Sequence, residues 1–383
     1  MSSAIRLDDC LWLRSKNADQ PVFRPLLRSL QQRGASVLML NLADAGELAR
    51  LRERVWNSDQ HVIFQGLLPA ELNTLRPLFA QRQNFSVLPV DWWLTPFWFS
   101  QHATFNIFHT YNGFQVHAGV TSFVPGKWPP AFSLPQRLIP YELQSSLLRP
   151  LAWLSAPLLD LWKWRQRAAA ASSASRLVYF PYPIAAEEVP LQEECPRYDF
   201  TSMGATMGTW LMRDPFVPSA LNFANLYADR QRLINLIGQL HPRPFTVFDR
   251  RRNDTWLPWE ELTRIIRQSR FMVCTGGVHH NAIPKFLEYA CLGVPMIGAV
   301  LPWEFPWLEQ CMVNVDPMRI SLAELKPRLA EAVEQHPRLR QNCLALRETI
   351  LKLYHPDTLL DMLQEQIDGG PIRPGYLKLP PPA

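Results

Sequence analysis

The densest chemistry in the chain lies between Ser269 and Gly298, SRFMVCTGGVHHNAIPKFLEYACLGVPMIG. Phe271 to Cys274 is a short apolar run of strand character. Gly276 and Gly277 follow it, and a helical pattern opens near Pro284, a residue suited to a first helical turn. Backbone amides at a glycine turn and at a helix N-terminus form a site for anions. Lys285 and Glu288 stand three apart, so a helix puts both on one face near that end. A lysine there can meet a phosphate, and a carboxylate can accept from two vicinal hydroxyls, as in a ribose. His279 and His280 lie in the turn, where an imidazole can hydrogen-bond a hydroxyl or a phosphate oxygen. The plain alternative is an ordinary strand–helix–strand unit with an exposed Lys–Glu pair. The residues alone leave both readings open.

The elements that must position this segment alternate. In the first half, strand-like runs at 36–42, 61–64 and 85–90 are separated by helical patterns around Leu26 and Leu30, at 47–56, and around Leu72 to Phe79. Strand, helix, strand at this spacing predicts a parallel, doubly wound sheet. A second alternating half begins near Tyr198. It has strands at 198–203, 245–248, 271–274 and 294–300, and helices at about 220–240, 259–268 and 284–292. Gly293 reads as a helix C-cap, and Ser321 with Glu324 as a capping box. The expected fold class is therefore α/β, with two Rossmann-like units in tandem. Residues 1–175 form the first domain and 176–355 the second; a helix follows over 356–370 and a loose tail over 371–383. The small-residue run 168–175 is the expected hinge.

Composition bounds the function. The 383 residues include 35 prolines and 16 glycines, an excess of proline that argues against long uninterrupted helices. Hydrophobic residues make up 47% and charged residues 19%, which excludes a disordered chain. A net charge of +5 without strong clustering argues against nucleic acid as a partner. The six cysteines have no metal-ligand or disulfide spacing. The N-terminus has no signal-peptide pattern, and no apolar stretch spans a bilayer, so the expected compartment is the cytoplasm. Residues 147–167, apolar with Lys163, Arg165 and Arg167 at one end, read either as a core-packing helix or as a peripheral membrane contact. Residues 92–126 have no charged side chain and are aromatic, as expected of strands and loops lining a cleft.

Residues 284–298, P-K-F-L-E-Y-A-C-L-G-V-P-M-I-G, resemble the donor-nucleotide segment of GT-B glycosyltransferases of the group 1 type. The stretch before it, from Glu260 to Phe271, is similar to group 1 and exostosin-type enzymes, and a looser likeness runs over 198–365. The resemblance implies two Rossmann-like domains facing a central cleft, with a UDP- or GDP-sugar as substrate and no resident cofactor. It implies that Glu288 holds the donor ribose, with Lys285 beside it. Gly276 and Gly277 would approach the sugar and diphosphate. Gly204 and Gly208 would form the glycine turn of the donor domain, and Arg213 would be a diphosphate partner. The chain departs from the pattern at His280, where many retaining members carry a glutamate.

Transfer to a glycan or lipid-linked acceptor needs stabilisation of the departing diphosphate. In a metal-independent site, basic side chains and helix dipoles supply it. No D-x-D motif marks a metal site. An inverting enzyme also needs a general base. His109, Asp91 and His117, at or after strand ends of the first half, are the candidates, and F-H-T-Y at His109 resembles a group 1 strand-end histidine. Two other functions fit the same resemblance: a catalytically inactive nucleotide-sugar binding or scaffold protein, and a nucleotide-sugar epimerase.

Overall fold

The computed structural model describes residues 5–15, 23–41, 44–56, 59–65, 71, 74–77, 84–88, 104–108, 114–117, 120–123, 176–191, 195–204, 228–240, 245–248, 257–275, 284–299, 306–317 and 319–370. The first unit contains β1 (Leu11–Ser15), α1 (Arg24–Gln32), β2 (Ser36–Leu40), α2 (Ala45–Trp56), β3 (Val62–Gln65), β4 (Phe85–Leu88), β5 (Phe105–Phe108), β6 (Phe114–His117), β7 (Val120–Phe123) and β8 (Arg176–Tyr179). Six of these strands form a parallel sheet in the order β2-β1-β3-β4-β5-β8. Strands β6 and β7 make a separate antiparallel pair. Apolar side chains pack on both faces of the sheet, as expected of a parallel sheet covered by helices, with Arg14, Gln65 and Ser86 as buried polar exceptions. Trp12, Ile63 and Leu88 pack against Leu26 and Leu30 of α1. Leu11, Leu13, Phe64 and Phe85 pack against Leu51 and Val55 of α2 on the other face.

The second unit contains β9 (Tyr198–Met203), α3 (Ala228–Leu240), β10 (Phe245–Phe248), α4 (Trp259–Arg267), β11 (Ser269–Val273), α5 (Pro284–Cys291), β12 (Met296–Gly298), β13 (Met312–Asn314) and α6 (Leu322–Leu353). Its parallel sheet runs β10-β9-β11-β12-β13. Both sheets therefore start the same way: the second strand lies outside the first, and the third begins growth in the opposite direction. In such sheets the crevice lies at the carboxyl ends of the strands flanking the reversal. Here these are β1 with β3, and β9 with β11. The chain has two tandem doubly wound α/β units.

Helix α6 departs from the expectation that proline limits helix length. It runs for 32 residues with Pro327 and Pro337 inside. An interior proline removes a backbone bond at a cost of about 3 kcal/mol. The packing outweighs that cost. Leu325, Leu329, Ala332 and Leu339 enter the core around Phe271, and Cys343, Leu346 and Ile350 enter the core around Met272. The start of α6 follows the sequence reading: Ser321 Oγ accepts from Glu324 N, and the Glu324 carboxylate accepts from Ser321 N.

The passage between units also differs from the expected boundary after residue 175. Strand β8 pairs with β5, so residues 176–179 belong to the first sheet. Beyond it, Phe180 and Tyr182 fill the first unit's core, whereas Ile184 and Val189 fill the second's. The chain returns after Tyr354, and α7 (Pro356–Ile367) packs Leu359, Leu360, Met362 and Leu363 into the first core. The two crossings touch where Ile184 N donates to the Tyr354 carbonyl oxygen, at 2.8 Å. Arg33, the residue that caps the end of α1, fastens the returning helix through Asp357 at 2.9 Å and Asp361 at 2.7 Å, and Ser29 donates to the same Asp357 carboxylate. The run 168–175, the segment 147–167, most of 92–126 and the tail 371–383 lie outside the described residues. No described helix is long and apolar enough to cross a membrane.

Candidate functional site

The reversal in the second sheet brings Met203–Gly204, at the end of β9, beside Cys274–Thr275, which follow β11. Helix α5 is anchored next to them. Its residues Phe286, Leu287, Tyr289, Ala290 and Cys291 are buried. Gly293, at φ 73°, turns the chain from α5 into β12, with its N–H donating to Ala290 and that of Val294 to Tyr289. Arg347 of α6 donates to the carbonyl oxygens of both Val189 and Cys291, which pins the inter-unit connection to the end of α5.

This seating sends Lys285 back over the strand end, where Nζ donates to the Met203 carbonyl oxygen at 2.8 Å. Arg230 of α3 arrives from the other side. It is 5% exposed, and Nη2 donates to the Thr275 carbonyl oxygen at 3.3 Å. The two cations converge at Gly204. A Cβ built there would stand 2.5 Å from Lys285 Nζ and 3.3 Å from Arg230 Nη1, and the residue holds φ 105°. Only glycine suits both the backbone and the space.

Glu288 lies one turn along α5 from Lys285. Burial pushes its carboxyl up to about 7, Lys285 opposes that rise and Glu188 adds to it. Lys285 goes down to about 8, first through burial and then through repulsion by Arg230, with Cys274 and Glu288 opposing. Both shifts run against the charged forms. Two cations crowded on one glycine, with a reluctant carboxylate beside them, are a surface that an anion would complete. Glu188 is itself paired at 2.6 Å with Arg28 of α1, so the first unit reaches the rim of this cluster.

Three residues expected from the sequence come together here: Lys285, Glu288 and Gly204. Gly276, Gly277, His279 and His280 follow Thr275 in the chain but lie outside the described residues, as do Gly208 and Arg213. On the first unit, β5 ends at Phe108, one residue before His109; His109 and Asp91 are outside the described residues. His117 closes β6, on the antiparallel pair rather than the parallel sheet. Arg230 was not legible in the sequence, because nothing in its helix marks it apart from any other arginine. Among the described residues no group of three or more His, Cys, Asp or Glu is arranged to hold a metal ion.

No family model matches the chain, and no curated protein matches it. Among solved structures it is similar to Anabaena Alr3699/HepE in complex with UDP and glucose, with TM-score 0.47 and 8% identity over 94% of this chain and 99% of that one. It is also similar to AviGT4, a glycosyltransferase involved in avilamycin A biosynthesis, with TM-score 0.44 and 11% identity over 95% and 99% of the two chains. A third is sucrose-phosphate synthase from Thermosynechococcus elongatus, with TM-score 0.44 and 12% identity over 94% and 98%. The α/β assignment stands on the strand order and register of this chain itself.

Proposed function

We propose that the chain is a GT-B glycosyltransferase that moves a sugar from a UDP- or GDP-sugar to a hydroxyl of a glycan or lipid-linked acceptor. The observation that carries this reading is the convergence of Lys285 and Arg230 on Gly204, with Glu288 one turn away. In the reaction, the acceptor oxygen bonds to the anomeric carbon. The bond from that carbon to the diphosphate breaks, and the nucleoside diphosphate leaves with the electron pair. Charge grows on the departing phosphate oxygens, and cations already fixed in place stabilise it without reorganisation. Lys285 and Arg230 are held by carbonyl oxygens at the strand ends, so their positions exist before the substrate arrives. Glu288 accepts from the ribose hydroxyls, and its carboxylate is drawn into the charged form by those donors. The acceptor proton passes to a base of the first unit, for which His109, Asp91 and His117 remain the candidates.

The test is nucleotide release from a panel of UDP- and GDP-sugars, with and without small glycan acceptors. Release that needs Lys285 and Arg230, and rises with an acceptor, supports the reading. Tight nucleotide binding with no turnover of any donor points instead to a nucleotide-sugar binding protein.

A further inference from the structure

The connection between the units makes a 3-10 turn at Ala186–Glu188. Ile184 before it and Val189 after it pack in one core with Phe286 and Leu287 of α5. Two further contacts hold the turn in place. Trp259 Nε1 of α4 donates to the Glu188 carbonyl oxygen at 2.8 Å, and Arg347 Nη1 donates to the carbonyl oxygens of both Val189 and Cys291. The Glu188 carboxylate is thereby fixed where its charge acts on Glu288. The same carboxylate meets Arg28 of α1, with Nη2 at 2.6 Å from Oε1. Arg28 Nη2 also stands 3.2 Å from Glu187. The Glu188 side chain is 18% exposed and that of Glu187 57%, so the charge of Glu188 is the less screened of the two.

The other groups around Glu288 are neutral or already engaged. On α5, burial holds Tyr289 and Cys291 in their protonated forms. Lys285 favours the Glu288 carboxylate and is tied to the Met203 carbonyl, while Arg230 and Cys274 act on that lysine. Arg347 is spent on its two backbone carbonyls. Among the described residues Glu188 is thus the acid that works against a second negative charge at Glu288, and Arg28 is the cation that meets it. A surface ion pair adds little to fold stability, so the consequence of this one lies in its charge. We propose that Arg28 is a positioning residue: by pairing with Glu188 it takes up the negative charge that faces Glu288, and so lets the Glu288 carboxylate form. The first unit thereby supplies a side chain to the chemistry of the second. That the carboxylate then meets a ribose rests on the nucleotide-sugar reading; the charge relation between the three residues does not.

The test reads the pH at which Glu288 ionises in the full chain. Urea denaturation across a pH series gives it as the pH where the growing advantage of Glu288→Gln over its parent levels off, about 7 in the wild type. Arg28→Met should keep the fold and move that pH up by about half a unit or more. Arg28→Lys should leave it near the wild-type value. Arg28→Met combined with Glu188→Gln should return it to that value or below. Calorimetric titration of UDP and of GDP supplies a second reading. In Arg28→Met the preferred nucleotide should weaken about threefold at pH 6, the equivalent of half a unit, and hardly at all at pH 8. A role in shape alone would weaken binding equally at both pH values, and Glu188→Gln would not rescue it. The proposal is overturned if Arg28→Met leaves the ionisation of Glu288 in place, if adding Glu188→Gln fails to restore it, or if Arg28→Met does not fold. A shift as stated in a chain that binds neither nucleotide supports the proposal and contradicts the nucleotide-sugar reading instead.

Discussion

The ammonium of Lys285 donates to the carbonyl oxygen of Met203 across 2.8 Å, tying the start of α5 to the end of β9. That bond fixes a cation at the reversal of the second sheet before any ligand is present. Arg230, on a different helix, completes the pair over Gly204. The preorganisation comes from the topology: the two helices flank neighbouring strands whose carboxyl ends meet there.

Gly204→Ala tests the glycine. The backbone there holds φ 105°, which an alanine rarely adopts, and the new Cβ would crowd Lys285 Nζ. The backbone cost is about 1–2 kcal/mol. Urea denaturation should show that loss, and nucleotide affinity should fall at least tenfold as Lys285 is displaced.

The coupled pair predicts a pH signature. Glu288 is raised to about 7, so the fold keeps its proton where the unfolded chain has released it. Its contribution to stability is complete below about 4.5, the ordinary value, and is lost as pH rises towards 7. Glu288→Gln should remove that loss, so its advantage over wild type grows between those limits in denaturation series. Lys285 is lowered to about 8 from 10.5, so its contribution is complete above 10.5 and is lost as pH falls through 8. A bound diphosphate restores the lysine charge. Nucleotide binding should therefore take up a proton near pH 8, read by calorimetry in buffers of different ionisation enthalpy, and weaken above it.

The sequence made the local features legible and hid the long-range ones. The capping box at Ser321 and the C-cap at Gly293 are settled by residues within one turn, so their spacing was sufficient. Lys285 and Glu288 share a face of one helix, which periodicity shows directly. Arg230 reaches the site only because β9 and β11 are neighbours, and no spacing encodes that. Strand β8 looked like the start of the second unit because a small-residue run precedes it. Its pairing with β5 is a long-range choice. The helix expected over 356–370 was readable, but not which core it fills.

That last assignment is testable. Leu363 is fully buried in the first unit's core, the same core that holds Trp12. Leu363→Ala should lower stability by about 2–5 kcal/mol. The loss should appear in a first-unit probe, for example hydrogen exchange of β1 amides. If the loss is confined to the second unit, α7 has been assigned to the wrong core.

The prolines in α6 give the opposite sign. Pro337 interrupts the backbone ladder of a helix that packing otherwise secures. Pro337→Ala restores a donor to the Val333 carbonyl and should stabilise the chain, by up to about 3 kcal/mol. Thermal unfolding checks this; an unchanged or lower midpoint would mean the proline geometry is itself needed for the fit against Leu339 and Cys343.

Two fixed cations hold the diphosphate in the proposed reaction, and the most direct measurement of their role is calorimetric titration of UDP and of GDP into wild type, Arg230→Met and Lys285→Met. A hydrogen bond to a charged group is worth about 1.5–3 kcal/mol. Each substitution should therefore weaken the preferred nucleotide by about ten- to a hundredfold, with uridine and guanosine themselves little affected. Undiminished nucleoside diphosphate affinity in both variants would contradict the account.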